Sequence, residues 1–190
     1  MPTCHLGALR HALITLGRNS LFVLLPLMAL PLQIHAAGAH VHGVAKLDIA
    51  VEATKLTLQL ETPLDNLLGF ERAPRNDAER KRADAAIAQL RAGATLFKID
   101  PAAQCSLTNV ELTSAALKLG TPDPAEKQDG HADLDGSFEF TCADATKAEF
   151  VDVGLFGFKH LQRLEVRVVT ARDQFRRDLK RPAQRVLLKK

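Results

Sequence analysis

Alternation of apolar and polar residues is the feature that most limits how this chain can fold. It runs through residues 41–51, 55–61, 131–142 and 164–170. A period of two places successive side chains on opposite faces of a β-strand, so each segment is expected to bury one face and expose the other. Only a short turn separates the first two segments, which predicts a hairpin.

A helix and several shorter strands complete the predicted fold. Asn76 is a typical N-cap residue, Glu79 three residues later is expected to complete a capping box, and Gly93 fits the C-terminal stop. Residues 96–99 form a short apolar piece that stops at Pro101, and residues 105–119 are β-rich in tendency but irregular in alternation. Residues 150–153 predict a short strand, 175–179 predict a hairpin partner for 164–170, and 186–188 are expected to close the sheet edge. The sequence therefore predicts an α+β domain, a mainly antiparallel β-sheet or sandwich with one helical insertion at about residues 76–92.

Residues 1–37 have the layout of a secretory signal peptide. A basic region precedes an apolar run of 14 residues (21–34), and small residues follow it at 36–39. The run is shorter than the roughly 20 apolar residues of a membrane-spanning helix. We expect cleavage after one of the three alanines in 36–39, leaving a single periplasmic domain over 38–190 with no membrane insertion. A retained membrane anchor is the alternative.

Composition and charge exclude some classes of partner. The chain has 190 residues, 46% of them hydrophobic, which is enough for a core. Its aromatic residues amount to 5% and are all Phe, which argues against a stacking platform for bases or sugars. If Arg10 and Arg18 leave with the signal peptide, 23 Lys and Arg face 22 Asp and Glu. No basic field remains to indicate nucleic-acid binding.

Two cysteines, Cys105 and Cys142, follow the signal segment. An exported chain enters an oxidising compartment, so a disulfide between them is expected. The chain-entropy model gives such a loop about 3.5–4 kcal/mol of stabilisation. The alternative is that both are soft metal ligands.

The chain also carries two pairs of metal-binding residue types at i,i+2 spacing. His40 and His42 form the first pair, and His131 and Asp133 form the second. On a strand such residues share a face about 6–7 Å apart and can reach one ion. If the two strands pair, three histidines supply three ligands and Asp133 or Glu71 the fourth. The alternative is that these histidines are solvated and bind nothing.

Zinc suits such a ligand set, because it prefers four tetrahedral donors that include imidazole and carboxylate. Copper is the alternative metal, since imidazole binds both ions. Cleavage after Ala39 would expose the amine of His40 and favour copper. Because imidazole binds a metal only when neutral, affinity is expected to fall below about pH 6. His160, beside Lys159, is interpreted as structural or solvated.

Recognisable catalytic motifs are absent from the sequence. It has no His-Glu-x-x-His, no Gly-x-Ser-x-Gly and no glycine-rich phosphate loop. We therefore expect no enzymatic activity. A metal-free β-rich interaction module of the periplasm is the remaining alternative to a metal-binding protein.

Several segments follow the order and spacing of a known family. They are Ala39–Ala45 (AHVHGVA), Glu61–Glu71 (ETPLDNLLGFE), Cys105, His131–Asp133 (HAD), Phe138–Cys142 (FEFTC) and Val153–Phe156 (VGLF). The chain thereby resembles the ZrgA-like family, zinc-regulated proteins of the bacterial periplasm linked to zinc uptake, over nearly all of residues 39–190. The resemblance implies a periplasmic protein that buffers zinc or delivers it to an uptake system, with zinc-uptake transporter components as partners.

Two features depart from the family pattern. Members often carry a long His- and Asp-rich run before the His-Ala-Asp segment, whereas this chain has Glu126–Gly130 there, with no histidine until His131. Members also commonly have histidine after Gly-Phe-Glu, where this chain has Arg72. The sequence therefore leaves a single site built on His40, His42 and His131, without the bulk capacity of a His-rich loop.

Overall fold

The computed structural model describes residues 41–121 and 132–190. The expected signal peptide, His40 and His131 lie outside these residues. The helices and strands, in chain order, are β1 (Val44–Val51), β2 (Lys55–Pro63), α1 (Leu64–Leu68), α2 (Asp77–Arg91), α3 (Gly93–Leu96), β3 (Phe97–Ile99), β4 (Cys105–Thr113), β5 (Asp133–Cys142), β6 (Phe150–Val153), β7 (Arg163–Thr170), β8 (Gln174–Lys180) and β9 (Arg185–Leu187). Within these two ranges no helix has the length and apolar character needed to cross a membrane.

A six-stranded sheet with the order β4-β5-β2-β1-β7-β8 forms the body of the fold. The predicted hairpins β1–β2 and β7–β8 are antiparallel, while β1 and β7 pair in parallel. A smaller antiparallel sheet has the order β3-β6-β9, so the last strand lies at an edge, as predicted, but of this second sheet. The mainly antiparallel α+β prediction is confirmed.

The alternation in the sequence matches burial along the strands. In β2, Leu56, Leu58 and Leu60 are at most 1% exposed, and in β5 Leu134 and Phe138 are fully buried. Residues of the opposite parity carry the polar groups on the other face of the sheet. Each large apolar side chain buried in this way contributes roughly 1.5–3 kcal/mol, which is why the period-two pattern determines the inward face.

Two predictions about the strands were wrong. β1 begins at Val44 rather than Val41, and Val41 is 56% exposed rather than buried. The strand that carries Asp133 does not pair with β1, because β2 lies between β1 and β5. Alternation identifies the inward face of a strand but carries no information about its neighbour.

Helix α2 has the predicted extent, but its ends differ in detail. Asn76 Oδ1 accepts the backbone N–H of Glu79 at 2.9 Å, as an N-cap should. The Glu79 carboxylate accepts the N–H of Arg75 at 2.8 Å rather than that of Asn76, so the reciprocal half of the capping box is missing. The helix ends at Arg91 with Ala92 as its C-cap, and Gly93 is the first residue of α3 rather than a left-handed stop.

The predicted disulfide is present between Cys105 and Cys142. The two residues lie directly opposite each other in the antiparallel β4–β5 ladder. β4 carries a bulge between Leu107 and Asn109, which explains why its alternation is irregular in the sequence. The bond therefore links an edge strand to its neighbour within the large sheet.

Candidate metal site

The turn that carries His42 is held by a buried asparagine of α1. Asn66 is fully buried; its Oδ1 accepts the N–H of Gly43 at 2.7 Å, and its Nδ2 donates to the carbonyl of Val44 at 2.8 Å. Nδ2 also donates to Thr62 Oγ1 at 3.1 Å. Gly43 has a φ of +79°, which side-chain-bearing residues rarely adopt. The backbone next to His42 is therefore fixed in a turn and not extended as a strand.

The imidazole of His42 lies between two carboxylates. Its Nε2 is 3.0 Å from Oε1 of Glu71, and its Nδ1 is 3.8 Å from Oδ2 of Asp65. The His42 side chain is 65% exposed, whereas the side chains of Glu71 and Asp65 are 18% and 22% exposed. An accessible imidazole thus sits on more buried carboxylates, each beside a different ring nitrogen.

Asp133 lies at the same end of the large sheet as His42. It starts β5 opposite Pro63, the last residue of β2, and it lines a cleft of about 140 Å³ together with Val41 and Val44. The N–H of Leu64 donates to the carbonyl of Ala132 at 2.8 Å, so the chain enters β5 beside the start of α1. The ends of β1, β2 and β5 therefore meet at this edge although β1 and β5 do not pair.

Arg72, at the position where family members commonly have histidine, is committed to α2. Its Nη1 and Nη2 donate to the two oxygens of Glu79 at 2.7 and 2.9 Å. Its guanidinium carbon lies 4.9 Å from the ring centre of Phe70. The bond from Arg72, helped by the Arg75 N–H, lowers the pKa of Glu79 from its usual 4.5 to about 2. Position 72 therefore anchors a helix start and supplies no metal donor.

Of the five predicted metal ligands, the structure brings His42 and Glu71 into contact and places Asp133 at the same sheet end. His40 and His131 lie outside the described residues. Across residues 41–121 and 132–190, no three His, Cys, Asp or Glu side chains are grouped so that they could hold a metal ion. The assignment of these five residues as ligands remains a prediction.

Sequence reasoning missed Asp65 and Asn66. Both belong to the short helix α1, and both contact the turn at His42 and Gly43. Both residues lie in the segment Glu61–Glu71, which resembles the family pattern. That resemblance assigns neither residue a role in supporting a ligand. Neither a short motif nor a periodicity indicates that a side chain in α1 supports a histidine more than 20 positions earlier.

Fold and site together define a β-rich α+β domain with an exposed imidazole–carboxylate pair at one end of its main sheet. A family model described as "ZrgA family zinc uptake protein" matches residues 39–188. The chain belongs to this family, which gives it a role related to zinc. Comparison with curated proteins found no match.

Proposed function

We propose that this protein is exported to the periplasm, binds zinc beside the start of β1, and buffers the metal or delivers it to an uptake system. Membership of a zinc-uptake family supports zinc as the metal. The observation that carries the location is the contact of 3.0 Å between His42 Nε2 and Glu71 Oε1.

The spacing of this pair is close to that of two zinc ligands. Donors at about 2.0–2.1 Å from a tetrahedral ion lie roughly 3.3 Å apart. A zinc ion can therefore bind between Nε2 and Oε1 with little movement of either group. Because imidazole binds a metal only through an unprotonated nitrogen, we expect zinc binding to weaken in acid.

Asp65 serves as the orienting carboxylate of His42. It approaches Nδ1, the nitrogen opposite the one that faces Glu71, at 3.8 Å, slightly beyond hydrogen-bond distance. An N–H at Nδ1 directed at this carboxylate leaves the lone pair on Nε2 for the metal. Asp65 therefore acts on the ring and does not share the ion with Glu71.

The remaining donors come from chain segments that reach the same sheet end. Val41 and Ala132, the covalent neighbours of His40 and His131, lie there, and so does Asp133. We propose His40 and His131 as further imidazole ligands, with Asp133 as an alternative carboxylate. A site with mixed ligands and an exposed imidazole favours exchange of the ion over permanent retention, as buffering or delivery requires. We propose that the protein is not an enzyme.

Calorimetric titration with Zn²⁺ tests this function on the exported chain, purified without a polyhistidine tag. We expect a dissociation constant below about 100 μM. The His40→Ala/His42→Ala double variant and Glu71→Gln should each weaken binding at least about tenfold. Glu139→Gln is the matched control, because it removes a carboxylate that pairs with Lys55 towards the opposite end of the β2–β5 ladder.

Absence of binding tighter than about 100 μM, or unchanged binding in the double variant, would contradict the zinc site. If the chain does not bind zinc and its expression does not change with the zinc supply, the metal-free interaction module is favoured. Affinity alone does not separate zinc from copper, because Cu²⁺ binds most nitrogen and oxygen sites more tightly. Induction by zinc limitation and not by copper limitation is the result that assigns zinc.

The proposed export has its own test. Cell fractionation should recover the chain in the periplasm, and mass measurement should show a new N-terminus at residue 37, 38 or 40. A full-length chain in the membrane fraction would instead indicate a retained anchor.

A further inference from the structure

A further histidine, His160, lies against the backbone of the same site. The imidazole of His160 packs over Gly69, the residue that caps α1 with a φ of +78°. A Cβ at position 69 would lie 3.1 Å from His160 Nε2 and 3.2 Å from Cε1. The space that this glycine leaves is therefore occupied by the His160 ring, two residues before Glu71.

The backbone of His160 also adjoins the turn that follows His42. A Cβ at Gly43 would lie 3.5 Å from the His160 carbonyl oxygen. The carbonyl of Gly43 accepts the N–H groups of Gln162 and Arg163 at 2.8 and 2.9 Å. Segment 158–162 is thus bound to the residue next to His42.

Arg181 fixes this segment from its other side. Its guanidinium donates to the carbonyl of Leu161 at 2.8 Å and to that of Phe158 at 2.6 Å. The backbone around His160 is therefore held, while its side chain is exposed to solvent. Because the ring is exposed, it can rotate about its side-chain bonds without disturbing the hydrophobic core.

We infer that His160 is a further imidazole donor of the zinc site at His42 and Glu71, an inference that rests on the proposed function. Zinc requires about four donors, and His42 with Glu71 supplies two. His160 would take one of the two remaining positions and leave one for His40, His131 or Asp133. Arg72 is held by Glu79 and supplies none. His160 lies against Gly69, two residues before Glu71, and rotation of its exposed ring would direct a nitrogen towards the ion that His42 and Glu71 hold.

X-ray absorption of the Zn²⁺-loaded exported chain, combined with calorimetric titration, tests this donor. His160→Ala should remove one imidazole from the zinc coordination shell and weaken binding at least about tenfold. His42→Ala should produce the same two changes. Lys159→Ala is the matched control, because it alters the exposed neighbouring side chain and should change neither measurement.

The outcomes separate this inference from the proposed function. If the unaltered chain does not bind Zn²⁺, the proposed function fails. If His42→Ala loses an imidazole while His160→Ala keeps the same imidazole count and affinity, the role of His160 is overturned and the zinc site at His42 stands. Circular dichroism of His160→Ala identical to that of the unaltered chain would show that any loss of binding is not a loss of fold.

Discussion

Asn66 is the single side chain on which the geometry of the proposed site most depends. It is fully buried, and its side-chain amide accepts the N–H of Gly43 and donates to the carbonyl of Val44. A buried amide group with this many partners fixes a turn that the local sequence does not specify. The position of His42 is therefore determined by a residue 24 positions later in the chain.

Replacing Asn66 with alanine should destabilise the fold by about 1–3 kcal/mol, because the N–H of Gly43 and the carbonyl of Val44 lose their partners. Zinc binding should weaken as well, since the turn at His42 is released. Urea unfolding and zinc titration check both effects. Asn109→Ala is the control, because that exposed side chain donates only to Glu111 and should change stability by less than about 0.5 kcal/mol. Equal effects of the two substitutions would contradict the role of Asn66.

His42 illustrates what sequence reasoning could not reach at single positions. Val41 continues the apolar parity of β1, so the pattern extended the strand through both residues. The left-handed conformation of Gly43 and its bond to Asn66 end the strand first. A glycine inside a predicted strand was the one local warning that the strand is interrupted there.

The start of helix α2 is an element whose stability depends on pH. Glu79 accepts bonds from Arg72 and from the Arg75 N–H, which lower its pKa to about 2. A carboxylate with a lowered pKa in the folded state stabilises the fold above its unfolded pKa of about 4.5. That contribution is lost as the pH falls from about 4.5 towards about 2.

Glu79→Gln should therefore lower the melting temperature at about pH 7 and lose its effect as the pH approaches 2. Thermal unfolding followed by circular dichroism at several pH values measures this convergence. Asp84→Asn, on the exposed part of the same helix, should have little effect at any pH. A difference between Glu79→Gln and the unaltered chain that stays constant down to pH 2 would contradict the assigned pairing.

Helix α3 packs on the large sheet through a position that admits only glycine. A Cβ at Gly93 would lie 2.9 Å from Phe138 Cδ1 and 3.2 Å from Leu107 Cδ2. Phe138 in turn packs edge-on against Phe97, with ring centres 4.8 Å apart. The glycine at position 93, which the sequence predicted as a helix stop, is thus a site of close packing.

Gly93→Ala should cost about 1–3 kcal/mol through overpacking, although alanine favours helix more than glycine does. Chemical denaturation provides the measurement. Gly157→Ala is the matched control, because its added Cβ would meet only the end of the flexible Gln89 side chain, at 3.1 Å. If Gly93→Ala were as stable as the unaltered chain, the close approach to Phe138 would not limit this position.

For the molecule as a whole, the sequence determined the faces of the strands but not their arrangement. Alternation predicted β2, β5 and β7 and their buried residues, and adjacent hairpins followed from short turns. The parallel pairing of β1 with β7 joins segments more than 100 positions apart, as with Ala45 and Leu164. Such pairings are selected by packing across the entire core, and no local pattern indicates them.

The disulfide constrains this whole arrangement by joining β4 to β5. Replacing Cys105 and Cys142 with serine should lower the free energy of unfolding by about 3.5–4 kcal/mol on the chain-entropy model. Urea unfolding of the double variant, compared with that of the reduced unaltered chain, measures the loss. If the double variant and the reduced chain lose the same free energy of unfolding, the loss is due to the covalent link. If both are as stable as the oxidised unaltered chain, the disulfide contributes nothing to stability.

Anomalous diffraction at the zinc edge, from crystals of the exported chain grown with Zn²⁺, tests the central claim most directly. We expect one strong peak within about 2.0–2.2 Å of both His42 Nε2 and a Glu71 carboxylate oxygen. A well-occupied zinc peak elsewhere, with His42 and Glu71 still in direct contact at 3.0 Å, would contradict it.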